Sequence, residues 1–296
     1  MNRFNNFRKE MNEIATKYFK DKSLSVQSKY PYILANRNNW HDNIILQSTW
    51  EYIESYKKIS ESKSIPFPLH KYIHHGLSSQ AFIFNLLGPL LVDNDIHSFR
   101  KLFFEHQELI SEQTIMQFEY CDRNVFNEKQ QQPTSFDFAF LNKGKKSILI
   151  ESKLVEPNFG GCSVIENGDC DGQNPCSNHD LCYLSQIGRT YWDLMEKYNA
   201  DESYRNDKIC PLSIYYQFYR EVLFSKEKNA DFYLLYDERN PAFVRDEKRG
   251  LYSILYNNLP NELKQITHKI SIQNIIKRLE ASNIPWMIEF KKKYGL

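Results

Sequence analysis

Long apolar runs are missing from this 296-residue sequence. The longest, residues 81–92, is broken by Asn85 and the Gly88-Pro89 pair, and a membrane-spanning helix needs about 20 apolar residues. The first residues are polar and lack the apolar centre of a signal peptide, so the expected compartment is the cytoplasm, with no membrane partner. Net charge is missing too. Lys plus Arg number 38 and Asp plus Glu 37, leaving +1. Such a chain exerts no overall pull on nucleic acid, so a nucleic-acid partner needs a local patch. Glycine is sparse, with 10 residues, and no P-loop, Rossmann or nucleophile-elbow pattern occurs. Zinc-finger, homeodomain and RNP patterns are also absent. Cysteines number six; in a reducing compartment they suggest metal ligands or buried thiols before disulfides.

What remains is an ordinary globular composition, 41% apolar and 25% charged, rich in Tyr and Phe. Residues 1–65 read as a polar helical extension that ends near Pro66 and Pro68. Residues 66–296 read as one domain. Ser78 or Ser79 caps a helix that Gly88-Pro89 interrupts. A helix over 96–110 follows, then strands at 114–121, 135–141 and 147–154. A Cys-rich insertion without periodicity covers 157–182, a length of loop that usually binds something or is disordered. Helices at 181–198 and 212–225, a strand at 231–237 and a helix around 272–279 complete the pattern. This order implies an α/β fold, a central mixed sheet flanked by helices.

The strand pair at 135–154 carries the chemistry. FDFAF alternates, sending Phe136, Phe138 and Phe140 to one face and Asp137 and Ala139 to the other. A turn around Gly144 sets a register in which Phe140 faces Ile148, Phe138 faces Ile150 and Asp137 faces Glu151. Lys153, two residues on, shares the face of Glu151. Facing carboxylates repel across a strand pair. A Mg²⁺ ion resolves that repulsion, because carboxylates, water and phosphate oxygens make its usual shell. Such an ion activates water and stabilises phosphoryl charge. A neighbouring Lys orients or deprotonates that water.

This arrangement resembles the PD-(D/E)XK nuclease superfamily, the restriction-endonuclease-like fold. The family pattern of an Asp on one strand and Glu-x-Lys on the next falls on Asp137, Glu151 and Lys153. SSQAFIFNLLGPL, FEY, FDFAF, IESKLVE and LLYDERNPAF further resemble a bacterial group classed with restriction endonucleases, over roughly residues 70–296. Phe136 stands where the superfamily pattern has Pro. Glu-x-Lys also starts at Glu61, Glu262 and Glu289, but only Glu151 has an apolar strand before it and an Asp on the facing strand. The plain alternative is a solvated strand face.

The resemblance implies a Mg²⁺-dependent DNA endonuclease of restriction or defence type, with Mn²⁺ able to substitute. Asp137 and Glu151 would hold the metal, with Lys153 and Glu119 completing the catalytic group. Two alternatives stand beside it: a nuclease-fold nucleic-acid-binding module whose chemistry has lapsed, and a DNA-repair or RNA-directed nuclease. Double-strand cutting would call for two sites, hence a homodimer. Gln80, Gln217 and Arg239 are the candidate substrate contacts. Gln217 resembles the Gln on the helix after the motif in RecB-like members, although Glu221 stands where those carry Tyr. Cys162, Cys170, Cys176 and Cys182 are candidate ligands for structural Zn²⁺ or an iron–sulfur cluster, but their spacing lacks the paired CxxC pattern, and reduced thiols packing a loop, with no metal, are the default reading.

Overall fold

The computed structural model describes residues 2–62, 67–129, 133–244, 250–280 and 284–296. The boundary expected at 65–66 lies outside them. Five strands form one sheet in sequence order: β1 (Ile115–Cys121), β2 (Ser135–Leu141), β3 (Ser147–Lys153), β4 (Ala230–Tyr236) and β5 (Thr267–Ser271). The first three pair antiparallel, and β3, β4 and β5 pair parallel. The turn between β2 and β3 permits a tight hairpin because Gly144 takes φ 71°. The parallel pairs require crossovers, and helices supply them.

One sheet face packs against α1 (Arg3–Asp21), α2 (Gln47–Ser62), α3 (Ser79–Val92) and α4 (Ile96–Leu102). Phe138, Phe140, Ile148, Ile150, Tyr233 and Leu235 supply the strand side of this core. The opposite face packs against α5 (Tyr191–Lys197), α6 (Leu212–Glu227) and α7 (Leu251–Asn258). C-terminal helices α8 (Ile272–Glu280) and α9 (Met287–Tyr294) return to the first layer. Both strand faces are therefore covered, and every residue of β3 and β4 is buried. The N-terminal helices share the first core directly: Phe7, Met11, Ala15, Trp40 and Ile53 pack in the same cluster as Phe138.

Several expectations change. Gly88-Pro89 does not interrupt α3, which continues to Val92. Pro89 removes one backbone donor, but residues 80–90 are all buried, and that packing holds the helix through it. Ser78 caps it, its hydroxyl accepting from the Ala81 amide at 3.3 Å. The helix expected over 96–110 stops at Leu102 and gives way to a 3-10 turn, Phe104–Leu109. The one expected over 181–198 is split into Tyr183–Gln186 and Tyr191–Lys197, with Gly188 at φ 80° between them. Strand β5 is short, with Ile270 the one apolar residue of its five, and carries no apolar alternation.

The hairpin register agrees with the sequence reading for Phe138 with Ile150 and Phe140 with Ile148. Phe136 departs from it. It packs in the second core beside Ala139, Leu149 and Phe224, not with Phe138 and Phe140. The strict alternation breaks at Asp137. Across from it, Glu119 in β1 adopts φ 54°, a left-handed conformation that turns the strand locally. Neither residue takes part in the β1–β2 pairing. The break places two carboxylates where a regular ladder would have paired backbones.

Candidate active site

The β2–β3 ladder ends at the Phe138–Ile150 pair. One step further the strands part, and Asp137 fills the gap: its Oδ2 accepts from the Ser152 amide at 2.7 Å. Glu151 and Lys153 continue on β3, both buried at 6% exposure. A charged pair that deeply buried needs further partners. Helix α6 provides one. Its first turn is kinked at Tyr215, and the Gln217 amide donates to the Phe159 carbonyl at 3.2 Å, which fixes Gln217 against the loop after β3. The Gln217 side chain then donates to Glu151 Oε1 at 2.6 Å and accepts from Lys153 Nζ at 2.7 Å. Lys153 Nζ also donates to Glu151 Oε1 at 2.9 Å. Three side chains from two elements thus close a ring of contacts.

A third carboxylate comes from the helix that carries Gln217. Glu221 lies one turn beyond Gln217, and i and i+4 residues share a helix face. It is 1% exposed, and neither of its oxygens makes a hydrogen bond. On the other side of the sheet, Gln80 at the start of α3 donates to Glu119 Oε1 at 2.6 Å. Gln80 is itself held by the Pro68 carbonyl at 2.9 Å and by the His70 amide, which donates to its Oε1 at 2.8 Å.

Burial and mutual repulsion set the charge states. Desolvation, then the charges of Glu151 and Glu119, hold the Asp137 carboxyl well above its usual range. Desolvation, opposed by the Gln80 hydrogen bond and aided by Glu151, pushes Glu119 up to about 8. Glu221 is raised by burial and by Glu151. Burial alone would lower Lys153, but Glu151, Glu156 and Glu221 outweigh it and hold the ammonium above its ordinary value. Lys153 is therefore a fixed cation at neutral pH. It can orient water and neutralise developing negative charge, while deprotonating water would require losing that charge.

The acidic groups outnumber the one ammonium among them. Among the described residues no three of these carboxylates bring ligand atoms into mutual metal range, so a divalent cation here would draw on a pair of them, with water and phosphate oxygens completing its shell. Asp137 and Glu151 lie in one charge network with Glu119 and Glu221.

A cleft of about 570 Å³ opens beside Gln217 and Glu221. Its wall includes Arg189, Tyr191, Tyr216 and Arg220. The Arg220 guanidinium lies 4.5 Å from the Tyr216 ring centroid and donates to Thr134 Oγ1 at 2.7 and 2.9 Å. Glu128 behind it is buried, accepting from the Tyr191 hydroxyl at 2.5 Å and the Thr134 amide at 2.7 Å.

The structure gathers Asp137, Glu151, Lys153, Gln217, Glu119 and Gln80 at one end of the sheet. It does not bring Arg239 among them as a substrate contact. That guanidinium grips Asp237 at 2.7 Å and donates to the Tyr294 and Gly295 carbonyls at 2.8 and 3.0 Å; it fastens the C-terminus to the end of β4. The cysteines lie near one another but not within metal-ligating range. Among the described residues, the one His, Cys, Asp or Glu group with ligand atoms in mutual metal range contains no cysteine. Cys162, Cys170 and Cys182 instead line a small apolar cavity with Cys210. Burial raises the thiols of Cys162 and Cys176 and pushes Cys210 up to about 12, as suits protonated packing groups. Sequence reasoning noted Glu221 only as a departure from the RecB-like pattern. The four-residue step from Gln217 in QFYRE was the available signal.

A mixed five-stranded sheet flanked by helices is consistent with a restriction-endonuclease-like core. Residues 5–295, nearly the whole chain, match the family described as Restriction Endonuclease associating with ARP, and the chain belongs to that family. No curated protein and no solved structure matches it. No helix among the described residues is long and apolar enough to cross a membrane.

Proposed function

We propose that this protein is a metal-dependent endonuclease that hydrolyses DNA phosphodiester bonds in a restriction or defence role. The observation that carries the reading is the Glu151–Lys153–Gln217 ring on β3, with Asp137 anchored to the next strand at the Ser152 amide. Asp137 and Glu151 would hold Mg²⁺, or Mn²⁺ in its place. A divalent ion bound there supplies water activation and charge neutralisation on phosphoryl oxygens. Lys153, fixed by Glu151 and Gln217, orients the attacking water and offsets negative charge growing on the phosphate. Gln217 keeps the ammonium in place. Tyr216 and Arg220, half-buried on the wall of the neighbouring cleft, offer stacking and cationic surface suited to a nucleotide chain. Cutting both strands of a duplex would bring two copies together. The family description couples its nucleases to ARP, and we extend that association to this chain.

The test is cleavage of plasmid and linear DNA, and of RNA, by purified protein with Mg²⁺. Wild type is expected to cut DNA. Asp137→Asn, Glu151→Gln and Lys153→Ala should each lower the rate by about 10²- to 10³-fold, the size of one lost preorganised charge contact. Undiminished cutting by all three would remove the site assignment. Cutting confined to RNA would overturn the substrate.

A further inference from the structure

At the end of the sheet away from Lys153, three potential metal ligands converge that the proposed nuclease chemistry does not use. Asp231 is the second residue of β4, pairing with Ile148, three residues before the Leu234–Glu151 pair and so roughly 10 Å along the strand. His106 lies in the 3-10 turn after α4, and His268 in β5. One ligand atom from each falls within 4.8 Å of the other two. His268 Nε2 stands 3.2 Å from Asp231 Oδ1, and His106 Nδ1 stands 3.4 Å from Oδ2. The rings are propped by Tyr233, which stacks on His268 at 4.9 Å and meets His106 edge-on at 5.6 Å.

A buried Asp with an ion pair is the plainer explanation, and Lys146 provides one at 2.6 Å from Oδ1. It leaves half of the carboxylate unexplained. Asp231 is fully buried, and its Oδ2 makes no hydrogen bond. A buried carboxylate oxygen ordinarily has a partner. Here the orphaned oxygen lies beside His106, while Lys146 pins the other oxygen, as a hydrogen bond from behind commonly orients a ligating carboxylate.

We propose that His106, Asp231 and His268 form a second metal site, taking one Zn²⁺ or a similar transition-metal divalent ion. Two imidazoles and a carboxylate suit such an ion, whereas Mg²⁺ favours an all-oxygen shell. Three protein ligands leave a fourth position. Both histidines line a cleft of about 810 Å³, together with Tyr256, Lys269 and Arg278. The ion would tie together three segments remote in sequence, across the β4–β5 edge and the 3-10 turn.

The experiment uses the full chain, stripped with chelator and titrated with Zn²⁺ alone by calorimetry, with elemental analysis of the product. One equivalent is expected. It should persist in the Asp137→Asn/Glu151→Gln double variant, which separates it from the nuclease site. His106→Ala and His268→Ala should each weaken binding by more than about 100-fold, beyond the effect typical of a change behind the ligands. His106→Gln and circular dichroism melts distinguish lost ligation from lost folding, and Co²⁺ absorption reports ligand geometry in the wild type. An equivalent that survives removal of both imidazoles, or that vanishes with Cys162→Ser instead, overturns the proposal. So does a wild type that takes up no stoichiometric Zn²⁺.

Discussion

Single residues carry the tightest constraints. Gln217 touches both Glu151 and Lys153, so it acts as a positioning residue whose loss frees the ammonium. Gln217→Ala is expected to lower kcat by about 10- to 100-fold, the worth of a hydrogen bond to a charged group, with KM changed little; steady-state kinetics on a defined DNA duplex separates the two. Far from the site, Lys293 is 2% exposed, donating to Asn43 Oδ1 at 2.6 Å over the Tyr18 ring. Burial lowers it to about 7 from 10.5. Between these values the unfolded chain binds the proton and the folded chain does not, so this group adds stability as pH rises through the window and costs most below it. Thermal melts should therefore show the wild type gaining stability relative to Lys293→Met from about pH 7 towards pH 10. A constant difference across that range would mean that Lys293 keeps its proton.

At the scale of elements, the break in β1 and β2 is the device that builds the site. Regular alternation across FDFAF would have kept Phe136 with Phe138 and paired the Asp137 backbone. Opposite the left-handed Glu119, Asp137 reaches the Ser152 amide and Phe136 packs in the other core. Helix α3 shows a similar dependence on its neighbours. Gly88 lies against Thr49 of α2, and a Cβ there would collide with the Thr49 methyl group. Gly88→Ala should destabilise the fold by about 1–3 kcal/mol through overpacking, despite alanine's better helix propensity. Denaturant unfolding measures this, and adding Thr49→Ser, which removes the obstructing methyl, should recover part of the loss.

For the whole molecule, the two cores share one sheet, and the N-terminal helices belong to the first of them. Met11 and Phe19 are fully buried, Phe19 with Tyr18 and Leu34, and α1 packs against α9. Removing residues 1–65 would take α2 off α3, where Gly88 lies against Thr49, and would uncover the side of α9 that α1 covers. The shortened chain is expected to aggregate or to melt without cooperativity, whereas the full chain should unfold in one transition. A truncated protein with a sharp melt and retained nuclease activity would show that the N-terminal residues are an appendage to an autonomous domain.

The sequence alone determined the class of fold and the hairpin, with its register at Phe138–Ile150 and Phe140–Ile148 but not at Asp137–Glu151, and it put Asp137, Glu151 and Lys153 forward as a candidate trio. These depend on period-two geometry acting over a few residues, and that geometry is written locally. It also marked Gln80, Gln217 and Glu119, but as candidates without partners. Only the tertiary structure decided that Gln217 clasps Lys153, that Glu221 joins the carboxylates, that Arg239 fastens the C-terminus, and that His106, Asp231 and His268 meet. Each of these contacts joins segments separated by a crossover, a kink or a helix end. Which side chains converge there depends on how two cores close on opposite faces of a sheet, and no local pattern encodes that closure.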